Sequence, residues 1–546
     1  MGYHHTSEIA AQLENASLEI ALAEWRTVLN PANVITDPSL LHSRASATFS
    51  TGQSIPAILK PRSVAEVQQC LEIATRLKIA VYPVSTGKNW GYGSGVPVSD
   101  HCVLMDLGQM QQIVDFNEKL GYVTVEPGVT QAQLHAYLTE RKSKLWMDAT
   151  GSSKHCSIIG NTLERGFGHT PYGDHFGQVC SFEVVLPNGE LLETGFSRSA
   201  GVAGAPVYRW GVGPSLDGLF AQSNLGVVTK MTLWLMPAPE YFEAFFFSCD
   251  DESALGSIVE ALQPLRMNGT LRSAVHIAND YKVLQGIQQY PWQEAGNSVP
   301  LQPDLMRTLR LRLRFGAWNG SGGLYGTRAQ VAEARRLVRK ALKGRVHKLH
   351  FLNEKLLGLA ERYSKFFRFV KKIDFRRTIS LVRPVFGLLR GVPTERSLAS
   401  AYWRKRTPPP SSMNPDADRC GLLWQAPLAP AEGDHAERIA SLARSILLEH
   451  GFEPALSFTL LTERALICVI ALTYDRDTPG EDQRASSCFK QLTKALTDSG
   501  YMPYRLGIQS MDLAGRDASS AGLVRAIKAH TDPANILAPG RYQRVK

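Results

Sequence analysis

No run in this 546-residue chain reaches the ~18 consecutive apolar residues of a membrane-spanning helix. The opening Met1-Gly-Tyr-His-His-Thr-Ser-Glu lacks a basic start followed by an apolar stretch, so no secretory signal is expected. Its formal match to a myristoylation signal, Met1-Gly2 with Thr6, is too short to carry weight. The eight cysteines form no CxxC pair and no metal-ligand spacing, which excludes a zinc module and predicts reduced, buried thiols in a cytoplasmic protein. No metal site is expected. There is no internal repeat, and no GxGxxG opening an amphipathic helix.

What the chain does have is glycine in one place. Behind the short apolar run Ile79-Ala-Val-Tyr82 come Gly87, Gly91, Gly93 and Gly95, packed into nine residues. Glycines this dense admit positive φ and let successive N–H groups converge on an anion such as a pyrophosphate. An ordinary glycine-rich turn fits the loop alone equally well. Upstream, Ser63 and Glu66 form a capping-box pattern that starts a helix burying Val64, Val67, Leu71, Ile73 and Ala74. The order is therefore strand, helix, strand, anion nest.

Small and polar residues then alternate in Thr150-Gly-Ser-Ser and Gly168-His-Thr-Pro-Tyr-Gly-Asp174, as suits backbone wrapped around a flat ligand. A strand over Val179 to Leu186, the turn Pro187-Asn-Gly189 and a return strand follow. Near Glu240 this style stops, and an α+β block of antiparallel sheet backed by helices begins. Within it Leu309-Arg-Leu-Arg-Leu-Arg-Phe315 alternates like a half-buried strand. Nine basic residues stand against Asp374 alone between Arg362 and Arg390, which leaves the rest of the +10 chain near neutral.

Three stretches together resemble the vanillyl-alcohol oxidase and 4-cresol dehydrogenase (p-cresol methylhydroxylase) family: Gly168 to His175, Val184 to Leu192 and Asp532 to Tyr542. The resemblance runs over roughly residues 55–240 and 405–546. It implies an α+β fold with a discontinuous, PCMH-type FAD-binding domain of two α/β subdomains around a cap. The expected division is a lead-in at 1–50, the FAD domain at 51–240, the cap at 241–500 with a basic helical insertion at 327–395, and a closing segment at 501–546.

The resemblance also implies the site. Ser85, Thr86, Gly87, Lys88, Asn89, Gly91, Tyr92 and Gly93 would hold the FAD pyrophosphate. The ADP part and the isoalloxazine would lie along Thr150, Gly151, Ser152, Ser153, Ser157, Ile158, Gly160 and Asn161, and along Gly168, Tyr172, Gly173 and Asp174. Gly226, Val227, Val228 and Arg541 would complete the cradle. Tyr92, Tyr504 and Arg505 fall on the positions that bind a deprotonated phenol in the family, and His169 would assist them. The implied reaction is hydride removal from a 4-substituted phenol or benzylic alcohol to flavin N5. The electron acceptor is oxygen or a redox protein, and a homodimer is expected.

Three departures bear on that reading. His169 replaces a tyrosine. The family's carboxylate beside flavin N5 would fall at Ser152 or Ser153, where none stands. The covalent flavin anchor, a histidine or tyrosine, would fall in Cys420-Gly-Leu-Leu-Trp424, so FAD is expected to bind without a covalent link. These departures keep two rivals open: oxidation of a non-phenolic alcohol, hydroxy acid or amine in secondary metabolism, and a flavin-binding partner protein without turnover. In the basic segment Phe366, Phe369, Val370 and Ile373 share one helical face, opposite Lys365, Arg368, Lys372 and Arg376. That is a cap helix with a solvated face, or a docking surface for an anionic membrane or an acidic redox partner. Nucleic acid is not expected, because no stacking platform accompanies the charge.

Overall fold

The computed structural model describes residues 2–359, 362, 375–515 and 518–543. Among the described residues, those before Tyr241 build a four-stranded, a five-stranded and a two-stranded sheet, those from Tyr241 to Asp475 build one large sheet, and the C-terminal segment returns to the first.

The first sheet runs in the order Val34–Ile35, Ile58–Leu59, Val103–Asp106, Val81–Val84, with parallel pairing among the last three strands. Parallel strands need a crossover, and the helix Val64–Leu77 supplies one. Its Ser63 side chain accepts from the Glu66 N–H, as the capping pattern predicted. Val67, Cys70, Leu71 and Ala74 are buried against the sheet. The helix Gly2–Val28 is more than a lead-in: Trp25 is fully buried in the same core and donates to the Cys70 carbonyl at 3.1 Å. The last strand is completed from the far end of the chain, where Val81 exchanges backbone hydrogen bonds with Ile536 and Ala538. The second sheet is antiparallel, in the order Ile113–Asn117, Tyr122–Val125, Val227–Trp234, Val179–Val185, Leu191–Glu193.

The large sheet is antiparallel: Lys348–Leu352, Tyr241–Cys249, Trp318–Gly326, Val275–Asn279, Ala455–Leu460, Ala465–Asp475, Cys420–Gln425. Helices Leu255–Met267, Arg328–Leu342, Gly433–Glu449 and Glu481–Asp498 bury their apolar stripes against it, which forms the largest core of the chain.

Two expectations need correction. Leu309 to Phe315 is not a strand: the helix Pro303–Leu313 covers Leu309 to Leu313, with Met306 and Leu309 buried three apart, and Arg314 ends it. The period-two alternation of Leu and Arg was the misleading signal, and Pro303 at the first helical turn was the better one. Nor is 327–395 one basic helical insertion, because helix Arg328–Leu342 is followed by the strand Lys348–Leu352 at the edge of the large sheet. The helix Phe375–Leu388 comes later. Phe366, Phe369, Val370, Ile373, Lys365, Arg368 and Lys372 lie outside the described residues. Arg390 pairs with Glu354, whose other oxygen lies 3.9 Å from Arg383.

Candidate active site

The glycine loop leaves the strand Val81–Val84 and turns back on itself, with φ of +67°, +77° and +114° at Gly87, Gly91 and Gly93. A side chain at Gly93 would meet Ile508, because an added Cβ would lie 2.6 Å from its Cγ1. Four consecutive N–H groups, of Gly87, Lys88, Asn89 and Trp90, find no acceptor among the described residues. That is the geometry of an anion nest.

Three distant segments hold the loop in place. Gly91 N–H donates to Thr48 Oγ1 at 3.0 Å. The Asp416 carboxylate accepts from Trp90 Nε1 at 3.0 Å and from Ser94 Oγ at 2.8 Å. Burial raises the Asp416 carboxyl to about 6, against the pull of those two donors. The Gly91 carbonyl accepts from Trp424 N–H and from Gln509 Nε2.

Facing the loop, Ser157 caps the short helix Ile158–Leu163, accepting from Gly160 N–H at 2.9 Å, while its own N–H donates to Thr86 Oγ1 at 3.2 Å. Gly160 lies so close to Ser85 Oγ that an added Cβ would stand 2.5 Å from it. Thr150, Ser157, Ile158, Asn161, Tyr172 and His175 line one cavity. Ser153 is buried, and its Oγ accepts from His155 N–H. Gly168 and Gly173 close a tight turn, and Asp174 accepts from Gly177 N–H at the surface. Val227 and Val228 point into two different apolar cores. Gly226 packs on Val184.

Next to Tyr92 the site becomes cationic. Arg505 is buried; its Nη2 donates to Asn89 Oδ1 at 2.5 Å, and its guanidinium carbon stands 4.1 Å from the centre of the Tyr92 ring. Burial pushes the Tyr92 and Tyr504 phenols up, and the Arg505 charge pulls both back. Phe167 lies 5.8 Å from the Tyr504 ring, centre to centre. Four buried polar atoms around this point make no hydrogen bond of good geometry among the described residues: Tyr92 Oη, which interacts with the neighbouring Tyr504 hydroxyl, Arg505 Nε, Trp424 Nε1 and Gln509 Oε1. Three of them are donors or can donate. Buried donors in a folded protein are normally paired, so a cluster of unpaired ones is free to receive an acceptor oxygen.

Comparison with known proteins identifies the family and the cofactor. Residues 55–195 match the FAD-binding domain family. The chain is 31% identical over 529 residues to the 4-cresol dehydrogenase [hydroxylating] flavoprotein subunit of Pseudomonas putida, covering 95% of this chain and 94% of that one. It belongs to the 4-cresol dehydrogenase family of FAD-linked oxidoreductases. A crystal structure of p-cresol methylhydroxylase with substrate bound superimposes on this oxidoreductase with a TM-score of 0.86 at 30% identity, covering 97% of both chains. A 4-ethylphenol oxidase from Gulosibacter chungangensis gives 0.87 at 27% identity, also covering 97% of both. The 1'-carboxy-chondrochloren decarboxylase of Chondromyces crocatus is 45% identical over 527 residues, 96% of this chain and 97% of that one.

The residues of this FAD enzyme suit its cofactor. The unpaired amides of the glycine loop can meet a pyrophosphate, and Gly160 and Gly168 have no room for a side chain against Ser85 and Asp148. Arg541 stands back from the loop, paired with Glu164 and contacting Tyr82 and Tyr542. Of the residues singled out in the sequence, the structure gathers Asn89, Tyr92, Tyr504 and Arg505.

His169 lies in another group. Its Nδ1 is 3.1 Å from the Ala149 carbonyl, its ring stacks on His276 of the large sheet, and burial pushes its pKa below the usual histidine value. A carbonyl can only accept, so Nδ1 holds the proton and Nε2 the lone pair. His169 is thus an acceptor, not the donor its tyrosine counterpart would be.

Sequence reasoning did not single out Glu164, Trp424, Gln509 or His276. The buried Glu164 accepts from Tyr542 Oη at 2.8 Å and lies 3.8 Å from Arg505, which makes it the countercharge of the whole cluster. It stands at the head of the Glu164-Arg-Gly-Phe-Gly-His stretch, where a carboxylate beside glycines was a usable signal. His276 gives no local signal beyond one polar residue in an apolar strand.

Cys420 is fully buried beside Tyr402, Trp403 and Leu422, and burial pushes its thiol up. Cys156 is likewise buried, with its thiol pushed up. Among the described residues no helix is long and apolar enough to cross a membrane, and no group of three or more His, Cys, Asp or Glu is placed to hold a metal ion.

Proposed function

We propose that the enzyme binds a 4-substituted phenol as its phenolate and removes a hydride from the carbon attached to the ring. The observation that carries this reading is the cluster of unpaired buried donors at Tyr92, Arg505 and Trp424. A phenolate oxygen is a compact anion that such a cluster can satisfy, and charge-assisted hydrogen bonds are roughly twice as strong as neutral ones. Arg505 supplies the charge, while Tyr92 and Tyr504 supply O–H donors whose high pKa keeps them protonated at neutral pH. Negative charge on the phenolate oxygen is conjugated through the ring to the para carbon, so it weakens the C–H bond there and favours departure of the hydride. FAD, when bound, supplies the two-electron acceptor. The oxidised substrate is a quinone methide.

The division of the chain into an FAD domain at 51–240, a cap at 241–500 and a closing segment at 501–546 is part of this proposal. So are a non-covalent flavin, since 420–424 offers neither histidine nor tyrosine, and a homodimer. Oxygen or a redox protein takes the electrons from the reduced enzyme.

A second reading concerns the fate of the quinone methide and is favoured by the relative named as a decarboxylase. If the next carbon carries a carboxylate, breaking its C–C bond releases carbon dioxide. The bonding pair flows into the quinone methide, restores the phenolate and leaves an alkene. Serine at both 152 and 153 is consistent with this, because no carboxylate is needed there to direct water at the oxidised carbon.

The test is an anaerobic titration of the FAD-loaded enzyme with 4-alkylphenols and their 4-methoxy analogues, followed at 450 nm. Bleaching by the phenols alone is the expected result. Bleaching by both, or by an alcohol or hydroxy acid alone, would overturn the phenolate reading. Admitting air then separates an oxidase from a dehydrogenase.

A further inference from the structure

His276 sits in the middle of the large sheet, on the strand Val275–Asn279, hydrogen-bonded on one side to Trp318–Gly326 and on the other to Ala455–Leu460. Its ring stacks on His169 of the flavin half, 4.3 Å between centroids at an interplanar angle of 28°. One nitrogen is committed: Nδ1 lies 3.0 Å from Thr459 Oγ1. The other, Nε2, is buried and has no partner among the described residues. Two polar groups of its neighbour are taken up elsewhere: His169 has its ring Nδ1 on the Ala149 carbonyl and its backbone N–H on Asp148 Oδ1, which leaves the lone pair of its Nε2. Asp148 is taken up further by Thr170 N–H and His175.

The pair is close to the phenol end of the site. Phe167 touches Tyr504, and His169 is two residues further along, with their Cα atoms at most about 7 Å apart, so one short stretch borders both the Tyr504 ring and the histidine pair. The chemistry of Nε2 follows from its neighbour. The Thr459 hydroxyl can donate to Nδ1, which puts the imidazole hydrogen on Nε2 and makes the unpaired atom a donor; this tautomer is part of what is proposed. Burial and the adjacent ring hold His276 neutral.

We propose that His276 Nε2 donates to an acceptor oxygen on the para substituent of the substrate, a carboxylate or an amide carbonyl, and so selects among 4-substituted phenols. This rests on the phenol reading above and extends it to the substituent. A neutral donor suits a carboxylate that is to leave: it fixes the group without the full countercharge that would stabilise the ground state and hold the carbon dioxide in place. His276 acts on specificity, since the group it holds belongs to the far end of the substituent.

The experiment compares two probes of similar length, 3-(4-hydroxyphenyl)propanoate and 4-propylphenol, on the FAD-loaded enzyme under anaerobic conditions. Dissociation constants come from flavin spectral perturbation and reduction rates from stopped flow, for the wild type, His276→Ala and His276→Gln. The alanine variant is expected to bind the carboxylated probe roughly tenfold to a hundredfold more weakly, while 4-propylphenol changes less than about twofold. The glutamine variant, whose amide N–H replaces the lost donor, should recover most of the difference. Equal losses for both probes, or no loss for either, would overturn the assignment. If the alanine variant fails to fold, His276→Phe decides, since it keeps the ring and removes the N–H: it must lose the carboxylated probe selectively. Should neither probe bleach the flavin while the carboxylated one still binds through His276, the phenol reading falls and the contact stands. Bleaching by both that is indifferent to His276 would leave the phenol reading in place and remove the contact.

Discussion

Arg505 lies over the face of Tyr92, with its guanidinium carbon 4.1 Å from the ring centre, and reaches past it to Asn89 in the glycine loop. One residue thereby links the anion nest to the proposed phenol-binding end. Its charge is answered by Glu164 at 3.8 Å, a distance that leaves the guanidinium free to take a second anion.

Replacing Arg505 by alanine is expected to slow anaerobic flavin reduction by a 4-alkylphenol about 10²- to 10³-fold. FAD content after gel filtration should change little, because the nest amides remain. Loss of flavin in proportion to loss of rate would show that Arg505 serves the cofactor and not the substrate.

Asp416 tethers the glycine loop through Trp90 and Ser94. In Asp416→Ala both donors lose a buried acceptor, worth ~1–3 kcal/mol, and FAD should dissociate about tenfold more readily. Ultrafiltration of the yellow protein against buffer measures this. Retention equal to wild type would mean that Thr48, Trp424 and Gln509 suffice.

The flavin should be released into the supernatant by acid precipitation. Cys420 lies within a packed core with its thiol pushed up by burial, so it is a poor nucleophile. Colour remaining with the pellet would establish a covalent bond.

Burial lowers the pKa of His169 and of His276, and the second ring lowers His276 further. In the unfolded chain both titrate near ~6.5. Below that pH the unfolded chain binds protons that the folded one refuses, so stability falls as pH drops through the unfolded value. The melting temperature of wild type should therefore fall more between pH 8 and pH 5.5 than that of His276→Gln. Comparison of the two curves removes the opposite contribution of Asp416, whose raised carboxyl loses stability as pH rises. Parallel curves would show that the pair is not held neutral.

Local chemistry was readable where a few adjacent residues carry it. Ser63 and Glu66 mark a helix start because the cap bonds lie within one turn. Glycines at 87, 91 and 93 mark positive φ because no other residue adopts it without strain. Even so, a period-two run of Leu and Arg in 309–315 became a helix, since burial of Met306 and Leu309 on one side outweighed the alternation.

By itself, the sequence determined the glycine nest, the family motifs around Gly168 and Asp532, the tyrosines and arginine of the proposed phenol end, and the lack of histidine or tyrosine at 420–424. Only the tertiary structure decided that Glu164 faces Arg505, that Asp416 and Trp424 close on the loop, and that His276 of the large sheet stacks on His169 with one nitrogen unpaired. The physical reason is sequence distance. Thr48, Gly91, Asp416 and Gln509 meet at one loop although more than 450 residues separate the first from the last, and such contacts are set by the packing of whole sheets and leave no local pattern to read.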